Sequence, residues 1–312
     1  MFYQTFWDLV KANILALFKD FYVGKLDIYR LNFAVLSLIT KEPDASTMKR
    51  FRPLSLLNRI FKIFTKVLNN RLGLIMNFLI APNQTAFIKG RFILESVVTT
   101  HEVLHSAIHG KDQGVVLKLD YEKAFDRVNL DFLDEVLALR VFGTKISRWI
   151  HLATRGGSVA VKLNGVECNF FTTSRGLRQG DPMSPLLFNC AVDVFTRMRN
   201  KAAANNLIRG MCTQLIPGGV ISLQYADDMI LFVDNNTDMV RNMKWVLTCF
   251  EQVSGMKINY DKSELVPIDL VAEDAKDLSE IMGCVVGQSP IKYLGVPLHH
   301  DNLRRERISN PL

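Results

Sequence analysis

Three observations predict an α+β chain. Apolar residues recur at helical spacing in several stretches, while others read as strands, and the two kinds neither alternate as βαβ units nor form an all-β array. The Asn164-Gly165 pair divides one strand run, "SVAVKLNGVECNFFTT" (158–173), as a two-residue hairpin loop does. Gly and Pro punctuate the chain evenly and no internal repeat is present, so the elements belong to one continuous unit with lobes.

In chain order, Phe6, Val10, Ile14, Phe18 and Phe21 make the apolar stripe of an amphipathic helix over 3–22. Asp8, Lys11, Lys19 and Asp20 interrupt that segment and no small-residue cleavage site follows, which argues against a signal peptide. Helical spacing continues over 56–78, "LLNRIFKIFTKVLNNRLGLIMNF", and over 94–109. The run "GVVLKLD" (114–120) is a strand with Val115, Leu117 and Leu119 on one face and Val116, Lys118 and Asp120 on the other, polar, face. Helices follow over 129–140 and 184–201, the latter opened by Ser184 as N-cap and Pro185 in the first turn. "ISLQYADDMILFVD" (221–234) reads as two apolar strands with Asp227 and Asp228 at the hairpin tip. A helix over 237–253 and a strand run "IKYLGVPL" (291–298) complete the series.

Composition narrows the function classes. Of 312 residues, 48% are hydrophobic and 22% charged, which is ordinary for a folded protein. The excess of 38 Lys+Arg over 31 Asp+Glu, net +7, favours a polyanionic partner such as nucleic acid. Five scattered cysteines without a C-x-x-C pair suggest neither a zinc ribbon nor a disulfide framework, and point to a reducing compartment. No uncharged apolar run reaches the roughly 18 residues of a membrane span. The expected setting is intracellular, nucleus or cytoplasm, with no membrane partner.

The stretch "HEVLH" matches the H-E-x-x-H pattern of zinc peptidases through His101, Glu102 and His105. A third protein ligand is needed on a following element, yet the helix ends near Gly110 and the next carboxylates, Asp120 and Glu122, belong to the strand block. His109 extends the series as any polar helix face would, so a metallopeptidase is the remote alternative.

The aspartates are more telling. Asp227 and Asp228 repel one another at the tip of an apolar hairpin, with no compensating cation beside them in sequence. A hard divalent cation would relieve this, and Mg²⁺ takes carboxylates together with waters and substrate phosphates. Two ions roughly 3.5–4 Å apart can run an in-line phosphoryl displacement, given carboxylates from separate elements.

Seven ordered blocks then carry a family resemblance: "FRPLSLLNRIFKIFTKVLNNRL", "NQTAFIKGR", "LKLDYEKAFDRV", "GLRQGDPMSPLLF", "YADD", "GMKINYDKSEL" and "YLGVPL". Together they resemble the reverse transcriptases, most closely those of non-LTR (LINE-type) retrotransposons; an intron-encoded or telomerase-like relative matches less well. The resemblance implies a right-hand polymerase fold with fingers, a ferredoxin-like palm sheet and a largely missing thumb. It divides the chain into fingers and palm entry (1–110), first palm block (111–140), fingers hairpin region (141–178), palm (179–290), and primer-grip hairpin with the start of a thumb (291–312). By the same resemblance, Asp120, Asp227 and Asp228 hold two Mg²⁺ ions, with Mn²⁺ as a substitute, and Lys262 protonates the leaving pyrophosphate. Lys41, Arg52, Phe125, Arg178, Gln179 and Gly180 line the nucleotide site, Phe125 crowding the sugar 2′ position. Tyr293, Leu294 and Gly295 form the primer grip.

Thr40 and Met183 depart mildly from the family pattern, which has proline and leucine there. The implied partners are an RNA template, a DNA primer and dNTPs, and the implied reaction is RNA-directed DNA synthesis. The alternative is an inactive, truncated retroelement fragment that at most binds nucleic acid, since a shortened thumb leaves less basic surface along the duplex.

Overall fold

A computed structural model describes residues 2–44, 46–140, 142–163 and 165–298. The first lobe opens with a short helix α1 (Phe2–Thr5) and the amphipathic α2 (Trp7–Val23), which buries Ile14 and Phe21 and ends at Gly24 in the left-handed conformation. Two strands follow that the spacing did not reveal, β1 (Phe33–Thr40) and β2 (Phe51–Leu57), paired antiparallel from Ala34↔Leu57 to Thr40↔Phe51. The helix expected from residue 56 therefore starts later, as α3 (Arg59–Gly73), and breaks before α4 (Met76–Leu79). Asn58 causes the late start: its Oδ1 accepts the backbone N–H groups of Ile60 and Phe61 at 2.9 and 3.3 Å, an N-cap that leaves Leu56 and Leu57 to the strand.

Next come α5 (Ile93–Gly110), β3 (Gly114–Leu119), a single turn α6 (Ala124–Arg127), α7 (Leu130–Leu139) and α8 (Thr144–Thr154). The hairpin run resolves into β4 (Ser158–Leu163), β5 (Val166–Glu167) and β6 (Phe171–Thr172), with Gly165 at φ +86° in the turn and Asn164 outside the described residues. Strand β4 runs parallel to β1, so the first sheet has the order β2-β1-β4-β5, with β6 also on β4. The long α9 (Ser184–Ala204) begins with Ser184 inside it and Met183 as the cap, one residue earlier than the sequence reading. Met183 is itself held by Asp181, whose Oδ1 accepts its N–H at 2.9 Å, and among the described residues no side chain caps the first turn.

The second sheet is assembled from β3, β7 (Ser222–Tyr225), β8 (Asp228–Asp234), β9 (Glu264–Ile268) and β10 (Val285–Val286) in the order β10-β9-β3-β8-β7. Helix α10 (Thr237–Ser254) links β8 to β9, and α11 (Ala272–Met282) precedes β10. Without β10, the succession strand, helix, strand, strand, helix, strand with spatial order β9-β3-β8-β7 is ferredoxin-like. A final hairpin, β11 (Ile291–Tyr293) and β12 (Val296–Leu298), turns at Leu294-Gly295, both with positive φ. Residues 299–312 of the expected thumb segment lie outside the described residues.

Both faces of the second sheet are covered. Val115, Leu117, Leu119, Met229, Leu231 and Val233 join the main core with α7, α9 and α10. The opposite face was expected to be polar, yet Val116, Ile230 and Phe232 on it are fully buried with Val103 and Leu104 of α5 and with Ile291 and Tyr293. A central strand covered on both sides reads apolar throughout; only Lys118 and Asp120, at its end, reach solvent.

Candidate active site

The site is built where β3 ends beside the β7–β8 turn. Antiparallel pairing of Leu119 with Met229 makes Asp120 the next residue out, opposite Asp228. Both follow the face of Val116, Ile230 and Phe232, since side chains alternate. Asp227 lies in the two-residue turn closed by the Tyr225↔Asp228 pair, after Ala226 at φ +55°.

Asp120 is fixed through its backbone. Its N–H donates to Ser263 Oγ at 3.1 Å, its carbonyl accepts the Asn259 N–H at 2.7 Å, and Ser263 Oγ donates to the Asn259 carbonyl at 2.9 Å. The fully buried Ser263 and the 259–263 turn thus seat the end of β3, a role the sequence reading did not assign. The same turn carries Lys262 to Asp120.

Burial raises the Asp120 carboxyl from its usual range; the Lys262 charge opposes this, Asp227 adds to it, and Lys118 and Lys41 oppose it. Asp228 is also raised, first by burial and then by the Asp227 charge, with Asp120 contributing. The three carboxylates and Lys262 therefore form one electrostatic unit. Lys41 belongs to it from the other sheet: it follows β1, where its N–H donates to the Arg50 carbonyl at 2.8 Å. Among the described residues, no group of three or more His, Cys, Asp or Glu side chains forms a metal cage. The donor chemistry still fits Mg²⁺, which is commonly held by one or two carboxylates with waters and phosphates supplying the rest.

The remaining predicted residues surround this cluster unevenly. Arg52 is an exposed residue of β2, paired across from Ile39. A cleft of about 250 Å³ between the first sheet and the 175–180 loop is lined by Leu36, Pro53, Ser55, Asp126, Arg178 and Gln179. The loop is docked by backbone contacts: Gly176 N–H donates to the Val128 carbonyl at 2.9 Å, Leu177 N–H to the Phe125 carbonyl at 2.7 Å, and Ser55 N–H to the Gln179 carbonyl at 3.0 Å. Gly180 has φ +107°, and a Cβ there would stand 2.8 Å from the Ser55 carbonyl oxygen, so the approach to β2 requires glycine.

Arg178 is turned inward. Its Nη2 donates to the Ala153 carbonyl at 3.0 Å, and its guanidinium sits over the Phe61 ring at 5.1 Å. Phe125 is half-buried and stacks on Phe188 with centroids 4.4 Å apart. Tyr293 is buried in the second core cluster, where burial, and then the Asp228 charge, push its phenol upward. Tyr293, which leads into the β11–β12 turn of Leu294 and Gly295, thus lies within electrostatic reach of Asp228. His101, Glu102 and His105 are exposed on α5, whose His105 and His109 rings stack at 4.0 Å.

Comparison with known proteins is consistent across sequence and fold. The profile of the family described as reverse transcriptase (RNA-dependent DNA polymerase) matches residues 39–298. The uncharacterized 149 kDa protein of transposon TX1 from Xenopus laevis is 30% identical over 95% of this chain and 22% of its own length. The Pol polyprotein of the type-2 retrotransposable element R2DM from Drosophila melanogaster is 25% identical over 86% of this chain and 25% of its own. The chain thus spans about a quarter or less of these relatives. Telomerase from Candida albicans, solved with a fragment of telomeric RNA, superposes with TM-score 0.59 at 12% identity, covering 91% of this chain and 48% of the other. Apo telomerase from Candida tropicalis, truncated from its C-terminal domain, gives TM-score 0.57 at 16% identity, covering 78% and 51%. These likenesses show the right-hand polymerase fold. Among the described residues, no helix is long and apolar enough to cross a membrane.

Proposed function

Because the chain belongs to the reverse transcriptase family, and within it resembles the non-LTR retrotransposon members, we propose that it is an RNA-directed DNA polymerase core. It adds deoxynucleotides to a primer 3′-hydroxyl on an RNA template and releases pyrophosphate. The observation that carries this reading is the meeting of Asp120, from the end of β3, with Asp227 and Asp228, from the β7–β8 turn, at one end of a ferredoxin-like sheet.

Asp120 and Asp227 would hold Mg²⁺, with Mn²⁺ as substitute, and Asp228 completes the acidic set. Bound there, two such ions would supply activation of the primer hydroxyl and neutralisation of charge on the departing pyrophosphate. Lys262, electrostatically coupled to Asp120, is the proton donor to that leaving group. Lys41 and Arg52 grip the triphosphate, Lys as a point charge and Arg as a planar fork. Gln179 and Gly180 lie along the incoming nucleotide, and Phe125 crowds the 2′ position of its sugar, favouring deoxynucleotides. Arg178 supports that loop from behind through Ala153 and Phe61. Tyr293, Leu294 and Gly295 hold the primer end near Asp228. The first sheet and its helices act as fingers, and the second sheet as palm.

The test is primer extension on an RNA template with Mg²⁺, comparing the chain with Asp227→Asn. Extension by the parent alone, with nucleic-acid binding retained in the variant, is the expected result. Equal extension by both would sink the catalytic assignment. Binding without extension by either would favour a nucleic-acid-binding remnant.

A further inference from the structure

The block Asn83–Arg91 carries no assigned role in the proposed reaction, yet the side chain of its Gln84 reaches the turn that carries Asp227. Ala226, the residue before Asp227, has φ +55°, in the region that L-residues other than Asn and Asp rarely occupy, and it is 5% exposed. Water therefore has little access to its backbone groups. Gln84, itself 1% exposed, supplies them instead: its Oε1 accepts the Ala226 N–H at 3.0 Å, and its Nε2 donates to the Ala226 carbonyl at 3.4 Å. Gln224 Nε2 donates to the same carbonyl at 3.0 Å.

Gln84 is in turn held from both sides. Thr85 N–H donates to the Gln224 carbonyl at 3.1 Å, and Gln224 N–H donates to the Asn83 carbonyl at 2.8 Å, which locks the segment against β7. The Arg91 guanidinium donates to the carbonyls of Ile80, Ala81 and Gln84 at 2.9, 2.7 and 2.6 Å. Gln84 Oε1 also accepts the Ala86 N–H at 3.0 Å. The site thus demands an acceptor for two N–H groups and a donor for one carbonyl on the same short side chain. An amide satisfies this; a carboxylate lacks the donor, and a thioether lacks the donor and is only a weak acceptor.

We propose that Gln84 is a positioning residue for polymerisation: by holding Ala226 in the left-handed conformation, it aims Asp227 at the reaction site. The proposal rests on the reading of Asp227 as a catalytic ligand, and Gln84 acts through the turn rather than by touching substrate. Two variants isolate it. Gln84→Met keeps the volume and removes every hydrogen bond. Gln84→Glu keeps the acceptor and regains a donor only when protonated.

Two readouts are needed. The first is hydrogen exchange of the Ala226 amide in the metal-free protein, which does not depend on polymerase activity. Gln84→Met is expected to accelerate it by about tenfold or more while amides in the middle of β3 and β8 keep parent rates. The second is single-nucleotide extension. Gln84→Met is expected to lower kcat by about ten- to a hundredfold with KM for dNTP within about twofold of the parent. Gln84→Glu should lose kcat at pH 8 and recover part of it, relative to the parent, as pH falls toward 6.

Unchanged Ala226 exchange in Gln84→Met overturns the proposal, whether or not the parent extends primers. So does exchange that rises equally across the sheet, or a kcat loss that Gln84→Glu shows identically at every pH. A parent that does not extend counts against the polymerase reading instead, and the exchange measurement still decides the clamp.

Discussion

At the scale of single residues, Asp120 and Asp228 oppose stability at neutral pH, because burial and neighbouring negative charge disfavour their ionised forms. Asp228 has a folded pKa above its unfolded one, because burial and then Asp227 disfavour its ionised form. Such a group contributes stability at pH below its unfolded pKa, and that contribution is lost as pH rises through the raised folded value. At neutral pH without divalent ions, Asp228→Asn should therefore melt above the parent, and the difference should shrink as pH falls toward 4. Calorimetry of both proteins across that range checks the sign; a variant that melts lower at pH 7 contradicts it. Adding Mg²⁺ or Mn²⁺ should raise the melting temperature of the parent more than that of Asp227→Asn, since ligation stabilises only the fold that binds. Gly180 makes a different demand: Gly180→Ala puts a Cβ 2.8 Å from the Ser55 carbonyl at φ +107°, at a cost of about 1–3 kcal/mol. A denaturant melt gives that number directly, and a midpoint unchanged from the parent would mean that the loop moves off β2.

At the scale of elements, what could be read from spacing depended on whether one face stays in water. Helices α2, α5, α7 and α10 have polar faces, whereas α9, buried all round from Leu186 to Asp193, was legible from its Ser184-Pro185 start; the expected limits of all five fall within a few residues of those observed. The β7–β8 hairpin was legible because a pair of aspartates splits an apolar run. Strands β1 and β2 escaped because "FAVLSLIT" has no clear alternation, and because the leucines ending β2 run directly into the apolar face of α3. Asn58 was the missed signal, and it makes a test: Asn58→Ala should cost about 1 kcal/mol and fray the start of α3, measured as a lower urea midpoint with an unchanged slope. Strand β9 was hidden by Pro267, a residue that argues against an inner strand. It is tolerated because β10 pairs only with Glu264 and Leu265, so that Pro267 stands on a local edge. In the candidate site, the aspartates announced themselves by their chemistry, whereas Ser263, Asn259 and Gln84 act through backbone contacts between distant segments. No periodicity encodes such contacts.

At the scale of the whole molecule, the two sheets meet through charge as well as packing. Lys41 leaves the first sheet at the end of β1, yet its charge opposes, as the smallest of the influences named above, the burial that raises the Asp120 carboxyl at the end of the second sheet's β3. On the proposed function, a polyphosphate held at the aspartate cluster would feel the Lys41 charge as well. Two consequences follow from removing that charge with Lys41→Met. Affinity for the nucleotide falls, so KM for dNTP should rise by about tenfold, the loss of a single charge-assisted contact. The Asp120 carboxyl also loses a cation that favours its ionised form, which moves its pKa up, and the acid limb of kcat/KM should shift to higher pH. Arg52→Met, outside the set of charges that shift Asp120, should raise KM without moving that limb. Measuring kcat/KM from pH 5.5 to 8.5 for both variants separates the effects. A limb that moves for neither variant, with KM raised in both, would mean that Lys41 acts on the nucleotide alone and that the two sheets are electrostatically independent during the reaction.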